Sequence, residues 1–305
     1  MTTSTLLRGV FSPVLTPFAA DLSPDAARLV KHCRWLLTQD VGLAVFGTNS
    51  EANSMSVSEK MRLLDALIEA GVPGGRMMPG TGACALTDTV ELTGHAVRHG
   101  AAGVLMLPPF YYKGVSDDGL FASYSEVIQR VADQRLRVYL YHIPQVSQVA
   151  ISLALIERLL KAYPGVIAGI KDSSGNWDNT RAMLEQFQPQ GFDVFAGSET
   201  FLLATLRAGG AGCITATGNV NPGPIARLYR SWQQADADAQ QQALDAVRNT
   251  FQKFPMIPAM KAALAHFAGD EGFAAVRPPL VSLGGQQRVE LLAALEALGF
   301  AMPGM

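Results

Sequence analysis

The chain has little charge of either sign: charged residues make up 16% of its 305 residues, and its formal net charge is −2. Lysine and arginine are nowhere clustered, whereas a nucleic-acid surface needs a concentrated basic patch. The sequence therefore argues against nucleic acid as a partner and favours small molecules. Hydrophobic residues make up 49% of the chain, which excludes a disordered protein and allows a large core.

Cysteine is also scarce. Cys33, Cys84 and Cys213 are widely spaced and form no CxxC pair, so we predict neither a disulfide framework nor a zinc site. No run approaches about 18 apolar residues, and residues 1–10 do not resemble a leader. We therefore expect a cytoplasmic protein that does not bind membranes. The chain also lacks a P-loop and a GxGxxG motif, so we expect no nucleotide cofactor.

Short apolar runs alternate eight times with segments of helical periodicity. Predicted strands occupy residues 10–16, 42–47, 76–80, 103–107, 137–142, 166–171, 193–197 and 212–216. Predicted helices occupy residues 24–38, 58–70, 87–99, 117–131, 152–162, 177–187, 199–208 and 222–234. Eight βα units favour an α/β fold of the closed (β/α)8, or TIM, barrel type over an open doubly wound sheet.

The rest of the chain is predicted to be helical, at residues 237–254, 258–268 and 286–298. We therefore predict two domains: residues 1–234 form the barrel that carries the active site, and residues 235–305 form a C-terminal helical domain. Ser58, Thr87 and Ser116 are predicted to cap the helices near them, because a side-chain oxygen can accept an unpaired backbone N–H.

Ionisable residues at the carboxyl ends of barrel strands are candidates for chemistry, because barrel enzymes place their active sites there. The sixth predicted strand ends at Lys171, after an apolar run. Burying an unpaired ammonium is unfavourable, so Lys171 is either a solvated loop residue or a nucleophile whose pKa is lowered by apolar walls. Tyr141 lies near the end of the neighbouring predicted strand, at nearly the same height, where a phenol can relay protons during imine formation. This neighbour favours the nucleophile.

Two further polar segments follow predicted strands. The turn at residues 47–51 (GTNSE) is rich in hydrogen-bond donors and is suited to holding a carboxylate. Tyr111 and Tyr112 follow the fourth strand, where they are either packing residues or the source of a second phenol.

Together these segments resemble the dihydrodipicolinate synthase and N-acetylneuraminate lyase family of class I aldolases. The resemblance covers nearly the whole chain, and a series of motifs in order is far more specific than any one of them. The motifs are GVFSPVLTPF (9–18), GTxxE (47–51), GTG (80–82), PFYY (109–112), YxxP (141–144), GIK (169–171), AG (196–197), GCI (212–214), NV (219–220) and PMIP (255–258).

The resemblance implies a role for each matching residue. Lys171 forms an imine with pyruvate or another 2-keto acid, Tyr141 relays protons, and Thr48 links Tyr141 by hydrogen bonds to Tyr111. In the family the phenol matching Tyr111 comes from a neighbouring subunit, which implies a homotetramer built as a dimer of dimers; Tyr112 is a possible substitute. The covalent imine serves as the electron sink, so no metal or organic cofactor is expected.

The sequence departs from the family's usual pattern at several positions. Asn49 and Ser50 replace a threonine and a glycine of the turn, so backbone amides or the Asn49 amide are expected to hold the pyruvate carboxylate. Val146 replaces the arginine with which dihydrodipicolinate synthases grip a carboxylate of the second substrate, and an aliphatic side chain cannot do this. His142 stands where asparagine is common; it is either a structural histidine or shapes the aldehyde pocket.

The segment after the seventh strand is predicted to bind hydroxyl groups of the aldehyde, with help from Thr217; its alternative role is to cap the next helix. The predicted substrate-binding residues are Thr48, Asn49, His142, Gly197, Ser198, Glu199, Ile214 and Thr217.

The function predicted from these residues is reversible aldol cleavage of a 2-keto-3-deoxy sugar acid or a 4-hydroxy-2-keto acid to pyruvate and an aldehyde. A Schiff-base dehydratase of a keto-deoxy sugar acid and a 4-hydroxy-tetrahydrodipicolinate synthase are alternatives. A barrel that senses pyruvate-like metabolites without catalysis is a more remote alternative, because the intact pair of Lys171 and Tyr141 argues against it.

Overall fold

The structure is a computed structural model that describes residues 7–305. Its contacts divide the chain into two compact units. The first contains Pro73–Ile214 with residues 7–9, and the second contains Val10–Val72 and Thr215–Met305. None of the helices in residues 7–305 has the length and hydrophobicity needed to span a bilayer.

The described residues contain strands in alternation with helices. The strands are β1 Gly9–Ser12, β2 Gly42–Leu43, β3 Val104–Met106, β4 Val138–His142, β5 Ile167–Asp172, β6 Asp193–Ala196 and β7 Gly212–Ile214. The α-helices are α1 Ala26–Thr38, α2 Val57–Glu69, α3 Leu86–Arg98, α4 Asp117–Val131, α5 Pro144–Ser147, α6 Leu153–Ala162, α7 Trp177–Phe187, α8 Leu202–Arg207, α9 Pro222–Ser231, α10 Ala237–Gln252, α11 Met256–Ala268 and α12 Gly285–Ala297.

In the first unit β3 to β7 form a parallel sheet in chain order. The segment at residues 77–81, where a strand is predicted, lies beside β3. The Ala102 and Leu105 amides donate to the carbonyls of Met77 and Pro79 at 3.1 and 2.8 Å, and Thr81 donates back to the Leu105 carbonyl at 3.0 Å. Proline has no N–H to donate, so the pairing is interrupted and no regular strand forms.

In the second unit β1 and β2 are parallel and are followed by α1 and α2. The helices α10, α11 and α12 pack on one another in the same unit. The chain has the predicted (β/α)8 barrel fold with C-terminal helices. The division into domains at residues 1–234 and 235–305 stays a prediction, and its first six residues lie outside the part of the chain described.

The helix boundaries agree with the sequence within a few residues, but two of the three predicted caps are wrong. Ser116 does cap α4, with its Oγ accepting the Gly119 amide at 3.2 Å. The cap of α2 is Ser56 rather than Ser58, because Ser56 and Glu59 have the spacing at which each side chain accepts the other's amide. Thr87 lies inside α3, which begins at Leu86 without a side-chain cap.

A bulky side chain fills the interior of the sheet in the first unit. The Tyr139 ring occupies space that two glycines leave open, since a Cβ added to Gly103 or Gly169 would lie 2.7 Å from it. The Tyr139 hydroxyl donates to the Asp193 carboxyl at 3.2 Å, and Arg8 lies 4.0 Å from the same carboxyl. Burial raises the pKa of Asp193 to about 7, although Arg8 opposes the shift.

We expect Asp193 to make the stability of the protein depend on pH. Its folded-state pKa of about 7 lies above the unfolded value of 3.8. The stabilisation is therefore complete below about pH 4 and is lost as pH rises through 7, by at most about 4 kcal/mol. Denaturant unfolding at pH 5 and pH 8 tests this. The Asp193→Asn variant, which mimics the protonated acid, should exceed wild type in stability by about 2 kcal/mol at pH 5 and by about 4 kcal/mol at pH 8. Equal stabilities at pH 8 would contradict the assignment.

Candidate active site

The site is built around a buried amine. Lys171 lies in β5, is 2% exposed, and pairs in register with Tyr141 of β4. Residues paired in register project to the same side of a sheet, and the Lys171 Nζ lies 4.2 Å from the centroid of the Tyr141 ring. The ring face attracts a cation. Lys171 is therefore a buried strand residue rather than a solvated loop residue, and its neighbour is the predicted tyrosine.

The next residue along β5 points away from this pair. The Asp172 carboxylate accepts hydrogen bonds from the Ser174 amide at 2.9 Å and the Thr180 hydroxyl at 2.6 Å. It also accepts the Asn179 amide at 3.1 Å and the Ser174 hydroxyl at 3.1 Å. Asp172 thus ties the loop after β5 to α7 and fixes the end of the strand that carries Lys171. The sequence analysis missed this role, although the alternation of side chains along a strand would have placed Asp172 on the helix side.

His142 follows the same alternation and lies in register with Asp172. It is 5% exposed, and its Nδ1 accepts the Ile151 amide at 3.0 Å. An accepting Nδ1 leaves the ring proton of a neutral imidazole on Nε2. Burial lowers the pKa of His142, and the charge of Asp172 opposes that effect. This geometry favours the structural interpretation of His142; a role in the aldehyde pocket stays a prediction.

The loop after β6 begins close to the loop after β5. The Gly197 amide donates to the Asp172 carbonyl at 2.7 Å, and a Cβ at Gly197 would lie 2.1 Å from the Ser173 Oγ. Any larger residue at this position would push the two loops apart.

The residues after Gly197 form the short 3-10 helix Glu199–Phe201. The Ser198 Oγ accepts the Thr200 amide at 3.3 Å and lies 2.9 Å from the Thr200 hydroxyl. Ser198 therefore caps this helix, as the alternative interpretation expected. Glu199 is 1% exposed, and Ile214, the last residue of β7, is fully buried. Binding of substrate by these residues stays a prediction.

The two loop tyrosines are not packing residues of the core. Tyr111 and Tyr112 are each 73% exposed, with their rings perpendicular and 5.3 Å apart. Lys113 anchors their loop: its Nζ donates to the Ser147 carbonyl at 2.8 Å and to the Phe110 carbonyl. The loop thus displays both phenols to solvent beside α5. Val146 of α5 is also exposed.

Three of the predicted site residues lie in the second unit. Thr48 and Asn49 are half-buried in the 3-10 helix Thr48–Ser50, and Thr217 is fully buried in the 3-10 helix Ala216–Asn219. The Ser50 hydroxyl accepts the Gly47 amide at 3.1 Å. Ser50 therefore closes the turn with its own side chain, which explains how this chain dispenses with the usual glycine.

The turn is fastened by a buried ion pair that the sequence analysis did not foresee. Glu51 and Lys261 of α11 are each 1% exposed at their side chains and form a salt bridge. Glu51 also accepts the Arg277 amide at 2.9 Å, and Lys261 donates to the Ala275 carbonyl at 2.6 Å. Burial lowers the pKa of Lys261 to about 8, although Glu51 opposes this. Glu51 of the GTxxE motif thus holds the turn to the C-terminal helices.

Comparisons with known proteins show which family this chain is similar to. The family model described as the dihydrodipicolinate synthetase family matches residues 6–298. A DapA-like lyase from Chloroflexus aurantiacus is 35% identical over 294 residues, covering 95% of this chain and 97% of that protein.

Solved structures show the same likeness. The crystal structure of dihydrodipicolinate synthase from Agrobacterium tumefaciens is 31% identical with a TM-score of 0.87, covering 95% of this chain and 99% of that one. A prophage protein of the dihydrodipicolinic acid synthase family from E. coli K12, solved in complex with pyruvate, is 27% identical with a TM-score of 0.88. That match covers 97% of this chain and all of the other.

Proposed function

Because the chain belongs to the dihydrodipicolinate synthetase family of lyases, we propose that Lys171 forms an imine with a 2-keto acid and that the enzyme cleaves or forms a carbon–carbon bond next to it. The substrate in the cleavage direction is a 2-keto-3-deoxy sugar acid or a 4-hydroxy-2-keto acid, and the products are pyruvate and an aldehyde. The observation that carries the proposal is the buried Lys171 amine 4.2 Å from the Tyr141 ring centroid.

The proposed reaction balances without further reagents. The Lys171 amine adds to the C2 carbonyl, and the Tyr141 phenol donates a proton to the departing hydroxyl, so that loss of water leaves an iminium and a Tyr141 phenolate. The Tyr141 phenolate removes the proton of the C4 hydroxyl. The electrons of the O–H bond then form the aldehyde carbonyl, and those of the C3–C4 bond move into the iminium to give an enamine. The Tyr141 phenol then gives its proton to C3. Hydrolysis of the iminium releases pyruvate, restores the amine and returns a proton to Tyr141. The iminium is the electron sink, so in this proposal neither a metal nor an organic cofactor takes part.

The burial of Lys171 supports this role, because an amine removed from water is a better nucleophile toward a ketone. Asp172 and its four hydrogen bonds keep the end of β5 rigid, which holds the amine in one place. Tyr111 is exposed, and in this proposal it enters a neighbouring copy of the chain within the homotetramer expected from the family.

Reduction with borohydride in the presence of pyruvate should attach a three-carbon adduct irreversibly to Lys171, because the imine becomes a secondary amine. Peptide mass analysis locates the adduct. The Lys171→Met variant is the control and should remain unlabelled. Lys261 is the most demanding competitor, since its pKa is lowered to about 8. A label on Lys261 or Lys161 in place of Lys171 would overturn the mechanism.

The choice of aldehyde is expected to depend on Val146. Its side chain is 58% exposed on α5, so a larger residue fits there without disturbing the core. Without the arginine, aspartate semialdehyde loses a charge-assisted contact, and wild type should prefer 2-keto-3-deoxy sugar acids. The Val146→Arg variant should gain about ten- to hundredfold in kcat/KM for condensation of pyruvate with the semialdehyde.

The control for that experiment is Val146→Met, which adds bulk without charge and should leave the preference unchanged. If wild type already uses the semialdehyde with the higher kcat/KM, the protein is a 4-hydroxy-tetrahydrodipicolinate synthase. If it consumes a keto-deoxy sugar acid without releasing pyruvate, it is a dehydratase.

A further inference from the structure

The second unit contains a cavity of about 410 Å³. It lies between the end of α1, the beginning of α9, the middle of α10 and the C-terminal segment at residues 298–303. All of its lining residues belong to the unit formed by Val10–Val72 and Thr215–Met305. Its size falls in the range of about 300–1,000 Å³ that is typical of small-molecule sites.

Most of the wall is apolar. Trp35, Leu244, Val247, Leu298 and Phe300 supply large hydrophobic surfaces, two of them aromatic. The Trp35 Nε1 donates to the carbonyl of Pro303 at 3.0 Å. This hydrogen bond fastens the C-terminal segment against α1, so the wall is formed by a segment that is held in place.

Two polar groups in the wall lack a partner among the described residues, the side-chain amide of Asn221 and the Oε1 of Gln240. Asn221 is 5% exposed and lines the cavity at the N-terminus of α9. Within residues 7–305 its side-chain amide makes no hydrogen bond, and it does not cap α9. The Asn221 amide stays accessible from the cavity, so a molecule bound there can pair with it. Pro222 and Pro224 have no N–H, so Gly223 supplies the only backbone donor among the first three residues of this ten-residue helix.

A cation stands at the edge of the same cavity. Arg227 of α9 lines it, is exposed, and makes no ion pair with any residue in the described part of the chain. Arg230, on the same helix, differs in pairing with Asp40 at 3.0 Å. The positive end of the α9 dipole adds to the charge of Arg227. The polar edge of the cavity therefore favours an anion, and its apolar wall favours a hydrophobic body.

We propose that this cavity binds a small monocarboxylate with an aromatic or branched apolar body. The carboxylate is received by the Arg227 guanidinium, the Asn221 amide and the Gly223 N–H. The body packs between Trp35 and Phe300. This cavity shares no residue with the candidate active site. Its proposed ligand needs no keto group, so binding there does not involve an imine.

The probe is 3-phenylpropionate, compared with the isosteric 3-phenylpropanamide and with propionate, which lacks the aromatic body. The chain has three tryptophans, so a Trp177→Phe/Trp232→Phe background leaves Trp35 as the only fluorescent indole. We expect a saturable change in fluorescence with 3-phenylpropionate. The amide and propionate should each bind at least about tenfold more weakly.

Three variants locate the site. Arg227→Gln should weaken binding about ten- to hundredfold, whereas Arg230→Gln, which removes the same charge from the same helix, should leave it unchanged. Ala243 is an exposed residue of α10 that lines the cavity. Ala243→Phe should fill the space and abolish binding, and a thermal melt of each variant confirms that it is folded.

Several results would overturn the proposal. One is the absence of saturable binding of 3-phenylpropionate at millimolar concentrations, and another is equal binding of the amide. A third is binding that survives both Arg227→Gln and Ala243→Phe. Binding that is lost instead in Lys171→Met would place the ligand in the candidate active site.

Discussion

Replacement of Tyr141 by phenylalanine should slow turnover by about 10²-fold or more, in the range of positioned acid–base groups. The ring and its contact with the Lys171 amine are kept, and only the hydroxyl is lost, so the fold and the thermal stability should be retained. Proton removal from the C4 hydroxyl then lacks its base. The measurement is kcat for pyruvate release, coupled to a thermal melt.

The chain offers a matched control on the same strand. Tyr139 faces the same interior two residues earlier, but its hydroxyl donates to Asp193. Tyr139→Phe should therefore leave kcat close to wild type and change only the stability. If Tyr141→Phe turns over normally at unchanged stability, Tyr141 is a core aromatic and not a proton relay. Borohydride trapping of pyruvate on Lys171 in Tyr141→Phe separates loss of imine formation from loss of cleavage.

Replacement of Lys261 by methionine should lower the free energy of unfolding by about 3–5 kcal/mol, because it leaves the buried Glu51 carboxylate without its cation. Methionine preserves most of the volume, so the loss reports charge and not packing. Lys253, an exposed lysine at the end of α10, is the control. Lys253→Met should change the stability by no more than about 0.5 kcal/mol.

A double-mutant cycle makes this prediction sharper. Glu51→Gln combined with Lys261→Met removes both charges while an amide oxygen can still accept the Arg277 N–H. The double variant should recover part of the loss, since paired charges couple. Denaturant unfolding at fixed protein concentration measures each corner of the cycle. A loss below about 1 kcal/mol for Lys261→Met would show that the ion pair does not stabilise the turn. A folded Lys261→Met variant should also show weakened pyruvate binding, because Thr48 and Asn49 lie in that turn.

The alternation of strands and helices could be predicted because each element carries its own periodicity. The predicted strands and caps were wrong where a contact outside the periodic pattern decided the local structure. At residues 77–81 the missing N–H of Pro79 interrupts pairing with β3. At α2 the reciprocal hydrogen bonds of Ser56 and Glu59 set the first turn. The predicted cap, Ser58, was chosen because it lies directly beside the apolar run.

The candidate site divides in the same way. Lys171 and Tyr141 could be paired from the sequence, because both lie close to the carboxyl ends of strands that are neighbours in a parallel sheet. The four hydrogen bonds to Asp172 were missed, although the alternation of side chains along β5 indicates that Asp172 faces the helices. The turn at residues 47–51 was recognised as a motif. The hydrogen bond by which the Ser50 hydroxyl accepts the Gly47 amide and closes that turn was not foreseen.

The sequence by itself determined the fold class and the choice of Lys171, because hydrophobic periodicity and motifs in a fixed order are local properties of the chain. Only the tertiary structure decided which charges meet. Glu51 and Lys261 are 210 positions apart, and nothing in either local sequence identifies the other as its partner. Electrostatic energy depends on distance in space and on exclusion of water, and both arise only after the turn and α11 have packed together.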